Sequence, residues 1–242
     1  MFGLSSAKKL FGAVALAFAA PAVAEPITLD STNVGESFTI NYDGFSDGVT
    51  HGQLGSSITF TLTGVQDGAY SFDYSVANLT DDGADSRISS FSFNTDPDIS
   101  GATSTGAYPF TVTDSRYPNG IGTVDVCFKA AGSNSCAGNA NGVGAGETGS
   151  GSLTLNFADP LASLTLSDFF VRYQGITGID GVTSASGQMT SSTTTGGSTS
   201  GGSTSGTPVP EPGMMGMFAA ALIGLGLMRR RRRSIGSQPA FA

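Results

Sequence analysis

The segment Ile58-Thr59-Phe60-Thr61-Leu62-Thr63-Gly64-Val65-Gln66-Asp67-Gly68-Ala69-Tyr70-Ser71-Phe72-Asp73-Tyr74-Ser75-Val76 alternates apolar and polar residues on both sides of one turn signal. Successive side chains of a β-strand point to opposite faces, so each arm has one apolar and one polar face. Gly64 to Ala69 reads as the loop of a hairpin. The same period of two recurs in Phe38, Ile40 and Tyr42, in Val124, Val126 and Phe128, and in Leu153, Leu155 and Phe157. Asp43-Gly44, Asp47-Gly48, Asp82-Gly83 and Asn119-Gly120 supply further turn signals.

Leu164 to Tyr173 is the longest apolar strand candidate and is expected to be central. Its Phe169-Phe170-Val171 run breaks alternation, which predicts a bulge or burial of both faces. Ile88, Phe91 and Phe93 predict a strand with an irregularity. No sustained helical period occurs between residues 25 and 189, and no short internal repeat supports a β-helix. The expected fold is all-β, an antiparallel β-sandwich with jelly-roll-like winding, over residues 25–189. A chain of that length buries about 70% of its unfolded surface.

The two ends differ from this body. Residues 1–24 have the order of a secretory signal peptide, with Lys8 and Lys9, an apolar run from Leu10 to Ala20, and small residues at Ala22 and Ala24. Cleavage is expected before Glu25, by signal peptidase after export through the Sec translocon. Residues 190–208 are almost entirely Gly, Ser and Thr, a composition that predicts a flexible coil. Beyond them come Pro210-Glu211-Pro212, the uncharged run 214–228, the arginines Arg229, Arg230, Arg231, Arg232 and Arg233, and a tail, 234–242, expected to be cytoplasmic.

As a helix the run 214–228 measures about 22 Å, short against a bilayer core of about 30 Å. The five arginines hold the C-terminal side in the cytoplasm, so the body lies outside. Hydropathy alone fits an ordinary single-pass tail anchor equally well. The order Pro-Glu-Pro, short apolar helix, arginine cluster, behind a signal peptide, resembles the PEP-CTERM sorting signal. That resemblance implies recognition by an exosortase, cutting near Pro210, Glu211 and Pro212, and delivery to the cell surface or extracellular matrix, the setting of a biofilm. Before processing, residues 214–228 would hold the precursor in the membrane.

Between Glu25 and Pro210 the body keeps Arg87, Arg116, Lys129 and Arg172, four cations against 18 acidic residues, hence a net charge of −14. Such a field opposes nucleic acid and anionic lipid, and it tolerates cations and neutral glycans. Cys127 and Cys136 in an exported chain predict a disulfide. By strand alternation Cys127 faces away from Val126 and Phe128, which places the bridge on the polar face or at an edge. Segments between Leu29 and Tyr173, with this cysteine pair, resemble the cistern subgroup of PEP-CTERM proteins, a subgroup that implies no catalytic activity.

No catalytic set stands out. His51 is the single histidine, and no Gly-x-Ser-x-Gly elbow occurs. Asp81, Asp82, Asp85, Asp96 and Asp98 are candidates for a Ca²⁺ site, the one cofactor considered, with turn chemistry as the plainer reading. Tyr108, Tyr117 and Tyr173 are candidates for sugar stacking against the plainer reading of core packing. The expected function is that of a sorted, non-enzymatic surface protein. The alternative is an exopolysaccharide-binding module, calcium-assisted or not; a hydrolase is third.

Overall fold

Alternation translates directly into burial. In Ser37–Tyr42 the residues Phe38, Ile40 and Tyr42 are buried and their neighbours are not, and the same holds for Ile58, Phe60 and Leu62. A computed structural model describes residues 26–138 and 140–195. In chain order its strands are β1 (Ile27–Leu29), β2 (Ser37–Tyr42), β3 (Phe45–Ser46), β4 (Val49–Thr50), β5 (Ser56–Gln66), β6 (Ala69–Asn78), β7 (Asp85–Asp96), β8 (Gly101–Ser104), β9 (Phe110–Tyr117), β10 (Gly122–Lys129), β11 (Val143–Gly144), β12 (Thr148–Asn156), β13 (Leu164–Thr177) and β14 (Ser184–Thr195). One short 3-10 turn, Ser31–Asn33, is capped by Asp30, whose carboxylate accepts from the Thr32 N–H at 2.7 Å.

The strands pair antiparallel along one path, β8-β12-β6-β5-β2-β14-β13-β7-β10-β9. The path folds at β14. Ser184 to Gln188 pair with β13, and Met189 to Thr195 pair with β2, with a register slip between Met189 and Ser191. Two packed layers result, joined at a corner by one strand that changes sheet through a bulge. At the far ends, β8 and β9 approach each other, and Thr111 Oγ1 donates to Ala102 O at 3.0 Å. The described residues thus form an antiparallel sandwich that nearly closes into a barrel. Successive connections β6 to β7, β7 to β8 and β8 to β9 cross between the layers, as jelly-roll-like winding requires.

Aromatic rings fill the space between the layers. Phe60 of β5 stacks on Phe38 of β2 at 5.2 Å between centroids and meets Phe91, Phe93 and Phe169 of the opposite layer at 5.9, 6.0 and 6.3 Å. Such pairs are worth about 0.5–1.5 kcal/mol each beyond area burial.

The expected irregularities fall where alternation broke. β13 slips register between Ser167 and Phe170, with Asp168 at φ 50. It also buries both Val171 and Arg172, hence both faces. A second slip between Arg172 and Tyr173 leaves Ser89 of β7 as an extra residue, which returns Ile88 and Phe91 to one face.

Three boundaries differ from the sequence reading. The β5–β6 loop is not Gly64 to Ala69 but the two residues Asp67 and Gly68, at φ 45 and 78, the left-handed pair of a type I′ turn. β5 runs through Gly64 because a slip between Leu62 and Gly64 absorbs one residue. At the other end the domain does not stop at Met189. Thr190 to Thr195 continue β14, because β2 supplies a backbone ladder and β-branched threonine suits it, while exposed side chains gave the composition of a linker. The remaining linker, the signal segment and the helix expected over 214–228 lie outside the described residues. Among the described residues, no helix is long and apolar enough to cross a membrane.

Phe60→Ala is expected to lower unfolding stability by about 3–5 kcal/mol, since it removes the ring that touches both layers. The urea midpoint measures this, and a loss below about 1 kcal/mol would contradict the interlayer role.

Candidate functional site

The outer face of the β7–β10–β13 layer holds residues that polar sequence would place in water. Ser90 and Ser92 of β7 and Cys127 of β10 have no exposure, and Arg172 of β13 is 7% exposed. The cause is a cover made by two segments distant in sequence. The chain after Lys129 folds back over β7. There Ser90 Oγ donates to Cys136 O at 3.0 Å, and Gln174 Nε2 donates to Ala137 O and Gly138 O at 3.0 Å each. Gly138 must be glycine, because at φ 59 a Cβ would stand 2.5 Å from Ser89 Oγ. From the other side comes the β9–β10 hairpin, whose Tyr117 packs on Phe170 at 5.9 Å.

Cys127 and Cys136 place their sulfurs at bonding distance, with 5.9 Å between Cα atoms. Neither is exposed, and both belong to a small core with Tyr117 and Val124. The bridge therefore lies at neither a solvated face nor an edge: β9 flanks β10, and the fold-back covers it. Lys129, beside it, caps the same segment by donating to Ser133 O.

Under the cover Arg172 is held by neutral partners. Its Nη2 donates to Ser184 Oγ at 2.9 Å, and Asn119, with its amide oxygen turned inward, accepts from Nη1 at 3.1 Å and from the Ser186 N–H at 2.9 Å. Burial pushes the guanidinium below its ordinary pKa. The Tyr117 phenol beside it has no hydrogen-bond partner. Burial raises its pKa, against smaller opposing effects of Ser90, Arg172 and Ser92. Tyr173 is raised by burial too, but its hydroxyl pairs with Ser56 Oγ at 2.7 Å. The Arg172 guanidinium, the Asn119 amide and the Tyr117 ring thus form a brace that pins the hairpin onto β13 and β14. No nucleophile and base meet there.

The other candidates are dispersed. Asp81, Asp82, Asp85, Asp96 and Asp98 are exposed. Asp81 and Asp82 shape a turn in which the Ala84 N–H donates to Asp81 O at 3.1 Å. Among the described residues no three His, Cys, Asp or Glu side chains converge on a point fit for an ion. His51 Nε2 lies 2.8 Å from Ser46 Oγ in the β3–β4 hairpin region. Tyr108, Tyr117 and Tyr173 are at most 1% exposed, so none is available to stack on a sugar. Asn78, in an Asn-Leu-Thr sequon, is buried and donates to Ser86 O and Val143 O at 3.1 and 3.0 Å.

Ala22, Ala24 and Glu25, Pro210, Glu211 and Pro212, and Arg229 to Arg233 lie outside the described residues. For the tail, comparison supplies what geometry does not. A family model described as the PEP-CTERM protein-sorting motif matches residues 208–233. The chain carries a PEP-CTERM sorting motif. The match begins two residues before Pro210 and closes on the last of the five arginines. A PEP-CTERM motif marks an exported precursor that is anchored, then processed. It lies wholly beyond β14 and does not bear on the cistern resemblance. Searches of the curated proteins and of the solved structures found no match.

The sequence reading missed the covered outer face, and Cys127 was the one available signal. A cysteine expected to cross-link, at a position that alternation turns outward, requires something to fold over it.

Alkaline pH tests this brace. The folded phenols hold protons that unfolded tyrosines release near pH 10 (an approximate model-peptide value). Stability is therefore fully present below about pH 10 and is lost as pH rises further. The thermal midpoint should hold between pH 7 and 9 and fall above 10, less steeply in Tyr117→Phe. At pH 7, Tyr117→Phe should cost nothing, since its hydroxyl is unpaired, whereas Tyr173→Phe strands Ser56 and should cost about 1 kcal/mol.

Proposed function

We propose that the chain is an exported surface or matrix protein whose tail directs its sorting and whose domain is not an enzyme. The observation that carries this is the match of residues 208–233 to the PEP-CTERM protein-sorting motif, set behind a folded all-β domain. On this reading Sec exports the precursor and signal peptidase cuts after Ala24. The helix 214–228 holds the precursor, Arg229 to Arg233 fix its direction, and an exosortase reads Pro210, Glu211 and Pro212 and releases the body.

A non-catalytic role is supported by the engaged histidine and by the dispersal of the candidate carboxylates. The Cys127–Cys136 bridge suits an oxidising destination. In the chain-entropy account a loop this short contributes roughly 2.5 kcal/mol. With dispersed aspartates, the calcium reading gains nothing.

Intact mass of the protein recovered from the native cell surface tests the whole sequence of events. A species from Glu25 to near Pro210, two hydrogens light, is expected; one retaining Met214 to Ala242 would mean a permanent anchor. Replacing Arg229 to Arg233 with neutral residues should misorient or mislocalise the precursor, and normal surface delivery of that variant would end the topology argument. The bridge should resist dithiothreitol in the native state and open in urea, because neither sulfur is exposed.

A further inference from the structure

The outward face of the β8–β12–β6–β5–β2–β14 layer is nearly uncharged on a body of net charge −14. Strand register aligns distant residues into rows. One row runs Thr193, Thr39, Thr59, Ser75, Ser150. The next runs Thr195, Ser37, Thr61, Asp73, Ser152. A third runs Ser191, Asn41, Ser57, Ala77, Thr148, and Asp73 is the one charged member of the three. Hydroxyls pair between strands, Thr39 with Thr59 and Ser37 with Thr61 at 2.8 Å, and Ser71 with Thr154 at 3.1 Å. A hydroxyl has one donor and two acceptor positions, so each pair retains capacity toward an outside partner. Within a row, neighbouring residues stand about 4.8 Å apart across the strands.

At the hairpin end the rows are interrupted. The slip after Leu62 sets Gly64 opposite Ser71, where the row lacks a side chain. A depression of about 440 Å³ opens there, lined by Thr63, Gly64, Gln66, Asp67, Ala69 and Ser71. That volume lies within the range of small-ligand pockets, about 300–1,000 Å³.

We infer that this face is a docking surface for a neutral polysaccharide chain that crosses the strands and seats one sugar unit in the Gly64 depression. A polyhydroxyl polymer offers the donors and acceptors the rows lack. Anionic polymers are opposed by the −14 field, and the rows present no apolar patch beyond Ala77. Adjacent strands rotate by about 20–25°, so a rigid flat lattice such as ice meets only a few strands while a flexible chain follows the twist. No aromatic ring stands in the rows. Each contact exchanges a bond to water for another and yields little, so binding must accumulate along the polymer. This surface is independent of tail processing, and its test uses the purified full chain, so the two readings fail separately.

The test is affinity electrophoresis of the full chain in detergent gels containing dextran, pullulan or mixed-linkage β-glucan, with alginate as the acidic polymer. At least one neutral glucan should retard the protein, and its trisaccharide at equal mass concentration should compete at least tenfold less well than the polymer. Gly64→Val fills the depression where an added Cβ meets nothing within 4 Å. Together with Thr39→Val/Thr59→Val, it should reduce retardation at least fivefold while melting like the parent. No retardation by any of the three glucans overturns the inference. So does equal retardation of folded variants, a preference for alginate, or ice shaping without glucan binding.

Discussion

β14 hydrogen-bonds to both layers, and the architecture depends on that double pairing. Its first half completes the edge of β13, and its second half completes the edge of β2. Without the second half, β2 would present a row of unpaired N–H and C=O groups beside a core of phenylalanines, and buried backbone groups must be paired. The interlayer rings around Phe60 bring the layers together without fixing their lateral relation, because burial is non-directional. The ladder through β14 supplies that register. This explains why six residues without an apolar side chain, Thr190 to Thr195, are ordered into a strand.

Much of this fold was legible because alternation is a local signal. Phe38, Ile40, Ile58, Phe60, Leu62, Phe72 and Leu155 all face inward as their neighbours implied. Phe169-Phe170-Val171 announced a bulge that does occur at Asp168. What stayed hidden depends on partners far away in sequence. Ser90, Ser92 and Arg172 are polar and yet buried, because the fold-back at Cys136 and the hairpin at Tyr117 and Asn119 lie over them. Gly64 read as loop because it lacks a side chain; in the structure that lack makes the depression.

The two functional signals differ in the same way. The tail is recognised by the order of its parts along the chain, so the motif needs no geometry to be seen. The hydroxyl face has no motif at all. Thr193, Thr39, Thr59, Ser75 and Ser150 come from five strands and form a row only after the register is known. Serine and threonine on a solvated strand are ordinary β-formers one at a time. Their meaning lies in the register that sets five of them side by side across the sheet.

Charge connects the body with the tail. Seven of the eleven cations sit at the chain ends, in Lys8, Lys9 and Arg229 to Arg233. Loss of both ends would leave a body more acidic than the precursor, −14 against −8. Its aspartates gather at turns, including Asp47, Asp67 and Asp82 at left-handed φ, where a short polar side chain is tolerated. Others stand on strands, Asp73 of β6 and Asp125 of β10 among them. Copies of such a body repel one another and repel acidic polymers. The three hydroxyl rows, with Asp73 their one charged member, are then a part of the surface that a large uncharged partner can approach.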